Sequence, residues 1–129
     1  MRILIVEDDF ISRKVLSHFL AGFGEVITAE NGQKGLDLLM HGLTSEHPFD
    51  LVTLDVMMPE IDGQEVLAKL RALESVTNGP RARVLMTTAL EDMKSVKEAY
   101  ENLCDAYLKK PVRKAVLYGT LQKLGYKLP

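Results

Sequence analysis

The fold of this chain is decided by the stretch Leu51-Val52-Thr53-Leu54-Asp55-Val56-Met57-Met58-Pro59. Four mostly apolar, β-favouring residues run directly into an acid, and a turn-forming Met-Pro pair follows. A short apolar run bounded by Pro48 and Pro59 predicts a central strand of a parallel sheet, buried on both faces. Asp55 then falls at the carboxyl end of that strand, where open α/β sheets bind their ligands. A buried carboxylate there is costly unless something binds it, although it could simply cap the next loop.

Length and composition bound the class of protein. The chain has 129 residues, 47% of them hydrophobic and 26% charged, which indicates one globular domain over residues 1–129. Its formal net charge is -2 and it contains no basic run, so direct nucleic-acid binding has little electrostatic support. Cys104 is the only cysteine, which excludes an internal disulfide. No apolar run reaches membrane-spanning length and no leader precedes the first strand, so we expect a cytoplasmic protein without a membrane partner.

The remaining segments alternate between strand and helix patterns. Further β-rich runs cover residues 2–6, 25–29, 83–87 and 106–109. An amphipathic helical pattern follows every strand, and Asp62 is a good N-cap for the third helix. Five consecutive βα units predict a parallel sheet with right-handed crossovers and helices on both faces. We therefore expect an α/β protein with a three-layer (βα)5, flavodoxin-like doubly wound fold and strand order 2-1-3-4-5.

In that strand order, chemically active residues from four strand ends meet at one edge of the sheet. They are Glu7 and Asp8 after the first strand, Asp55 after the third, Thr88 after the fourth and Lys110 after the fifth. Two carboxylates about 4 Å apart repel by ~4 kcal/mol at an effective dielectric of ~20, so one is protonated or a cation neutralises them. A small number of oxygen ligands with room for water favours Mg²⁺.

This set of groups suits phosphoryl transfer. The transferred group spreads negative charge over its equatorial oxygens, so catalysis is mainly positioning and charge neutralisation. Asp55 is the candidate nucleophile that forms an aspartyl phosphate, while Thr88, Lys110 and Mg²⁺ each take phosphoryl oxygens. No residue supplies a strong base aimed at water, so we expect slow loss of the phosphate, which suits a signal better than metabolic turnover.

Four motifs give the chain its resemblance to a known family. They are Val6-Glu7-Asp8-Asp9, Leu54-Asp55-Val56-Met57-Met58-Pro59-Glu60-Ile61-Asp62-Gly63, Thr88-Ala89 and Tyr107-Leu108-Lys109-Lys110-Pro111. Each stands at its own strand end, and the resemblance that they carry extends over essentially the whole chain. The chain resembles the receiver domain of two-component response regulators, in particular the single-domain receivers of chemotaxis.

The resemblance implies a signalling phosphoacceptor rather than an enzyme, one that assists its own phosphorylation and its slow dephosphorylation. Asp55 would accept the phosphoryl group from a phosphohistidine of a histidine kinase or a histidine phosphotransfer protein. The family binds Mg²⁺ through residues that correspond here to Asp8 and Asp55 directly, to Glu7 largely through water, and to the main-chain carbonyl of Met57.

The same resemblance identifies the switch. Thr88 and Tyr107 correspond to the family's switch pair, and Lys110-Pro111 to its phosphate-reading lysine followed by a cis proline. Phosphorylation would change the surface made by helix four, strand five and helix five, where a downstream protein target would dock. Leu103 stands where receivers usually have a glycine, so we expect an altered turn before the last strand.

The acidic run after the first strand offers two pairs of acids, Glu7-Asp8 or Asp8-Asp9. We take Glu7-Asp8, because this choice places Arg13 and Lys14 where the family's first helix usually begins its basic segment. Because the first strand begins at Met1-Arg2 and only five residues follow the last helix, we expect a free-standing receiver or one cut before a linker.

Three rival classes make different demands on the sequence. A flavin- or nucleotide-binding protein of this fold needs a phosphate loop after the first strand, but Glu7-Asp8-Asp9 repels phosphate unless a metal intervenes. A phosphatase with an aspartyl nucleophile needs an acid two residues after Asp55, where this chain has Met57. A receiver-like interaction module that does not turn over phosphate stays the alternative.

Overall fold

The computed structural model describes residues 1–100 and 103–129 of the chain. Within these ranges, five parallel strands form one sheet in the order β2-β1-β3-β4-β5. The strands are β1 (Arg2–Val6), β2 (Glu25–Ala29), β3 (Leu51–Asp55), β4 (Arg83–Thr88) and β5 (Ala106–Lys109). The helices are α1 (Phe10–Leu20), α2 (Gly32–Thr44), α3 (Gly63–Thr77), α4 (Met93–Tyr100) and α5 (Lys114–Lys123). The predicted (βα)5 architecture and strand order are confirmed.

The central strand β3 is buried along its whole length, as its apolar sequence predicts. It pairs with β1 on one side, where Ile3 lies opposite Leu51, and with β4 on the other, where Asp55 lies opposite Thr87. Pairing on both sides leaves β3 no free edge, and helices on both faces of the sheet leave it no solvated face. Burying each Leu or Val contributes about 1.5–3 kcal/mol.

Two apolar cores lie on the two faces of the sheet. Alternate residues of β3 enter different cores, so Leu51 packs with α1 and α5 while Val52 packs with α2 and α3. The first core includes Leu16 of α1 and Leu117 of α5. The sheet is therefore packed on both faces, and the charged side chains of its strands lie at the strand ends. No helix in the described part of the chain is long and apolar enough to cross a membrane.

Short polar side chains begin three of the helices. Asp9, Asn31 and Asp62 each accept a hydrogen bond from the backbone N–H three residues ahead, at 2.8, 2.8 and 2.9 Å. Such a cap contributes about 1 kcal/mol by satisfying one of the unpaired N–H groups of the first helical turn. The N-cap that the sequence predicts at Asp62 is present.

One strand boundary differs from the sequence-based expectation. β4 continues through Thr88, which lies opposite Lys109 in the sheet, instead of stopping at Thr87. β5 covers Ala106–Lys109, as the sequence predicts, and Lys110 follows it. The Lys110 N–H still donates to the Thr88 carbonyl at 2.8 Å, but Pro111, joined by a cis peptide bond, has no N–H to extend the pairing.

A polar cluster holds the turn that leads into β5. Arg71 Nε donates to the carbonyl of Leu103 at 2.8 Å, and Arg71 Nη1 lies 2.8 Å from the buried carboxylate of Glu74. Asp105 accepts from the Val84 N–H at 2.8 Å and thereby joins the same turn to β4. Leu103, which stands where receivers usually have a glycine, thus contributes a carbonyl that accepts a hydrogen bond from the Arg71 guanidinium of α3.

The connection from β3 to α3 requires a glycine. The Gly63 N–H donates to the Val56 carbonyl at 3.0 Å, so the chain folds back tightly after β3. A Cβ at Gly63 would lie 2.2 Å from the carbonyl oxygen of Asp55, which is far inside van der Waals contact. The first turn of α3 therefore lies directly against the backbone of Asp55.

We predict that Gly63→Ala destabilises the protein by about 1–3 kcal/mol, because the new methyl group must displace the Asp55 backbone. The matched control is Gly119→Ala in α5, where a Cβ meets nothing within 4 Å. That change should stabilise the protein by about 0.5–1 kcal/mol through the higher helix propensity of alanine. Urea unfolding of both variants measures the two effects, and a Gly63→Ala variant as stable as Gly119→Ala would contradict the tight connection.

Candidate functional site

Carboxylates from two neighbouring strands meet at the carboxyl edge of the sheet. Glu7 and Asp8 directly follow β1, and Asp55 is the last residue of β3. One carboxylate oxygen of each residue lies within 4.8 Å of the others. Glu7 and Asp55 are buried, with 1% and 2% of their surface exposed, whereas Asp8 is exposed. The structure thus brings together the three side chains that the sequence identifies as metal ligands.

Lys110 lies between the two buried acids. Its Nζ is 2.8 Å from Glu7 Oε1 and 3.0 Å from Asp55 Oδ1. The site thus contains three carboxylates and one ammonium group, which leaves an excess of two negative charges when all of them are ionised. Such an excess in a partly buried place favours either a proton or a bound cation.

The excess of negative charge in the site contributes to the raised pKa of Asp55. Burial raises the pKa of the Asp55 carboxyl to about 8; the neighbouring carboxylate of Glu7 acts in the same direction, and Lys110 acts against both. Burial lowers the pKa of Lys110, but its contacts with Glu7 and Asp55 outweigh burial and raise it. Without a further cation, the raised pKa favours the protonated form of Asp55 near neutral pH, while Lys110 stays charged.

Two buried oxygens in the site are available for new bonds. Asp55 Oδ1 accepts from the Met57 N–H at 3.2 Å. Asp55 Oδ2 and Thr88 Oγ1, by contrast, have no hydrogen-bond partner among the residues that the structure describes. Buried polar atoms of this kind usually bind water or an ion. Because the candidate metal ligands around them are carboxylate oxygens, the residues fit a hard divalent cation such as Mg²⁺.

The two residues of the predicted switch lie on neighbouring strands. Thr88 is buried at the end of β4, and Tyr107 is half-buried in β5. The Tyr107 hydroxyl donates to the Lys97 carbonyl of α4 at 3.5 Å, and the Lys97 ammonium lies 5.9 Å from the Tyr107 ring centre. Tyr107 thus links β5 to α4, while its part in switching stays a prediction, as does the part of the Met57 carbonyl in metal binding.

The three successive acids after β1, Glu7, Asp8 and Asp9, make different contacts. The Asp9 carboxylate accepts from the N–H and the hydroxyl of Ser12, at 2.8 and 2.7 Å, so it caps α1 while Glu7 and Asp8 lie near Asp55. Sequence reasoning missed a contact of Arg13, whose Nη1 donates to the carbonyls of both Glu7 and Asp8. The available signal was the position of Arg13 in the first turns of a helix, since helical side chains point back toward the N-terminus.

Sequence comparison relates nearly the whole chain to known signalling proteins. Residues 3–122 match a family model described as the response regulator receiver domain. The chain is 39% identical over 119 residues to a cyclic di-GMP phosphodiesterase of Thermotoga maritima, which covers 91% of this chain and 29% of that protein. It is 37% identical over 125 residues to the probable transcriptional regulatory protein SilR of Salmonella typhimurium, which covers 96% and 50%. The chain thus spans half or less of the length of these two relatives.

Solved structures share the fold over a similar extent. The receiver domain of the histidine kinase CKI1 from Arabidopsis thaliana, complexed with Mg²⁺ and BeF3⁻, has a TM-score of 0.78 at 30% identity, covering 98% of this chain and 90% of that one. A response regulator receiver domain protein from Clostridium thermocellum has a TM-score of 0.74 at 25% identity, covering 95% and 91%. Both similarities extend through all five βα units of this chain.

We predict that, in metal-free buffer, the free energy of unfolding falls as the pH rises from about 4 to about 8. The pKa of Asp55 rises on folding from 3.8 to about 8, so the folded state holds a proton that the unfolded state has already released. This stabilisation is complete below the unfolded pKa and is lost as the pH passes the folded pKa, with a slope of at most about 1.4 kcal/mol per pH unit.

Asp55→Asn should flatten this slope in urea titrations at several pH values, because the amide does not titrate. Asp37→Asn, which changes an exposed acid of α2, is the matched control and should keep the slope. An equal slope in the wild type and in Asp55→Asn would contradict the assignment to Asp55.

Proposed function

The chain belongs to the response regulator receiver domain family, a signalling module of two-component systems, and on this premise we propose that it carries a phosphoryl group on Asp55. The observation that supports the proposal most directly is a buried carboxylate at the end of the central strand, 3.0 Å from the Lys110 ammonium and close to two further acids. In this proposal the donor is a phosphohistidine, and the product is an aspartyl phosphate that serves as a signal.

The transfer step is a substitution at phosphorus. A carboxylate oxygen of Asp55 forms the new P–O bond while the P–N bond to the donor imidazole breaks, and the imidazole nitrogen keeps the electron pair. Lys110 Nζ and Thr88 Oγ1 donate hydrogen bonds to the phosphoryl oxygens and so stabilise the charge that they carry. Asp55 must be ionised for this attack, which its raised pKa opposes in the absence of a further cation.

The acids of the site would supply that cation's ligands. Glu7, Asp8 and Asp55, with the predicted main-chain carbonyl of Met57, would hold a Mg²⁺ ion, whose chemistry there is to neutralise the carboxylates and the phosphoryl oxygens. The unpartnered Asp55 Oδ2 in the described structure supports this assignment. With its negative charge balanced, Asp55 keeps its nucleophilic form at neutral pH.

The phosphorylated form is expected to be long-lived relative to a catalytic turnover. The three histidines of the chain, His18, His41 and His47, are exposed and lie on α1, at the end of α2 and in the loop that follows α2. The described site therefore contains no imidazole that could activate water against the aspartyl phosphate. This supports a signalling phosphoacceptor rather than an enzyme that releases a product.

Apolar residues near the site support docking of a protein donor. Phe10 and Ile11 at the start of α1 and Met57 after β3 expose 58%, 66% and 67% of their surface. Ile11 also lines a depression of about 130 Å³ that reaches Lys110 and Pro111. Exposed apolar side chains that surround a polar centre are typical of binding surfaces. We propose that a histidine kinase or a histidine phosphotransfer protein, in the cytoplasm, covers these exposed apolar residues when it delivers the phosphoryl group.

The proposed output is a change in the surface of α4, β5 and α5, to which a downstream protein target binds. If the phosphoryl group draws the Thr88 hydroxyl toward Asp55, the space beside α4 opens and the Tyr107 ring can move inward. Shifting a two-state equilibrium from 1:99 to 99:1 takes ~5.5 kcal/mol, whereas one charge-assisted hydrogen bond supplies roughly 1.5–3 kcal/mol. Thr88 therefore cannot carry the switch alone, and Lys110 must contribute.

The first prediction of this proposal concerns the phosphoacceptor. With acetyl phosphate and Mg²⁺, the wild-type chain should gain one phosphoryl group, measured by intact mass, and Asp55→Asn should gain none. Asp9→Asn is the matched control, because it removes a nearby charge but keeps a side chain that caps α1. Uptake by Asp55→Asn at the wild-type rate and stoichiometry would show that the acceptor lies elsewhere. A wild-type chain without uptake would favour the alternative, an interaction module that does not turn over phosphate.

The second prediction concerns the switch. Thr88→Ala should still accept phosphate but show smaller changes in the NMR signals of α4 and β5 when beryllofluoride, a phosphoryl mimic, is added with Mg²⁺. Lys110→Ala should largely lose these changes, because the ammonium that reads the phosphoryl oxygens is gone. Lys109→Ala, which changes the exposed neighbouring lysine, should respond as the wild type does. Full-sized shifts in Lys110→Ala would exclude this mechanism.

A further inference from the structure

Arg13 contacts the acidic loop through the main-chain carbonyls of the loop rather than through the Glu7 and Asp8 carboxylates. Its Nη1 donates to the main-chain carbonyl of Glu7 at 2.9 Å and to that of Asp8 at 3.2 Å. We infer that Arg13 is a positioning residue for cation binding, one that fixes the loop between β1 and α1 so that the Asp8 carboxylate points into the site. The inference rests on the proposed function, because it takes Mg²⁺ to be the ion that Asp8 binds.

The loop needs such a support at Asp8 more than at Glu7. The Glu7 N–H donates to the Ala29 carbonyl at 3.1 Å, and the buried Glu7 carboxylate lies against Lys110, so both ends of this residue are held. Asp8 is exposed, and the position of its carboxylate depends on how the main chain is turned at residues 7–9. The contact of Arg13 with the Asp8 carbonyl fixes the peptide plane that immediately follows the Asp8 side chain.

Arg13 is itself held by the start of the helix. Its N–H donates to the Asp9 carbonyl at 3.0 Å in the first turn of α1, and the Asp9 side chain caps the same turn. The guanidinium carbon lies 5.6 Å from the centre of the Phe10 ring. A planar guanidinium with several donors can bond two carbonyls at once, which a lysine ammonium does less rigidly. The capped first turn of α1 therefore holds Arg13 in place, and Arg13 in turn orients the loop.

Electrostatics and positioning predict opposite effects of removing this arginine. Arg13 is a cation close to a proposed cation site, so charge alone predicts that its removal strengthens Mg²⁺ binding. If it orients Asp8, its removal weakens Mg²⁺ binding instead. Lys14 provides the matched control, because it carries the same charge and lies 5.5 Å from the same Phe10 ring.

The experiment measures the Kd of Mg²⁺ for the full chain by calorimetry and by NMR shifts of the residue 7–9 amides. We expect Arg13→Met to weaken binding by about tenfold, as is typical when a residue that supports a metal ligand is lost. Arg13→Lys keeps the charge but loses the planar fork, and should weaken binding to a smaller extent. Lys14→Met should bind Mg²⁺ as tightly as the wild type or more tightly.

These measurements separate a positioning role of Arg13 from a pure effect of its charge. Mg²⁺ binding by Arg13→Met at the wild-type Kd or tighter would overturn the inference, and so would equal weakening in Arg13→Met and Lys14→Met. Thermal melting without Mg²⁺ shows whether Arg13→Met folds, and if it does not, an unchanged Kd in Arg13→Lys overturns the inference. A failure of the proposed metal site itself looks different: the wild type and Asp8→Ala would then titrate alike.

Discussion

One ammonium group shared by two buried carboxylates is the interaction on which the functional end of this molecule depends. Lys110 Nζ lies within 3.0 Å of both Glu7 and Asp55, and each of these residues comes from a different strand connection. Removing one member of a buried charge group leaves the others unpaired, which typically costs about 3–5 kcal/mol. The pair of contacts therefore ties the segment after β5 to the ends of β1 and β3 and sets the geometry of the whole edge.

The same arrangement leaves the site short of positive charge, and this shortage links its structure to its function. Asp8 adds a third carboxylate to the two that share the single positive charge of Lys110, and the pKa of Asp55 rises as a result of burial and of its acidic neighbours. A site with this imbalance gains free energy from any divalent cation that fits it. The two apolar cores keep the strands rigid, so this gain is not lost in rearrangement of the sheet.

A change at this edge can reach the rest of the molecule through the main chain. The Lys110 N–H is bonded to the Thr88 carbonyl, so the lysine that contacts Asp55 is joined to the end of β4. From there, β5 continues through Tyr107, whose hydroxyl reaches the Lys97 carbonyl of α4. The turn before β5 is anchored to α3 by Arg71 and to β4 by Asp105. These contacts form a physical route between the acidic site and the α4–β5 surface.

The sequence by itself determined the strands, the order of the βα units and the kinds of residue at the strand ends, because apolar periodicity and caps such as Asp62 act over a few neighbouring residues. It identified Glu7, Asp8, Asp55, Thr88 and Lys110 as one set. The resemblance favoured Glu7-Asp8 over Asp8-Asp9 as the paired acids, and the tertiary structure supplies the physical reason, because the Asp9 carboxylate caps α1 while Glu7 and Asp8 lie near Asp55. Only the tertiary structure revealed the Lys110 contacts, the raised pKa of Asp55 and the hydrogen bonds from Arg13 to the loop carbonyls. Charge interactions depend on distance and burial, which exist only once the sheet has brought distant residues together.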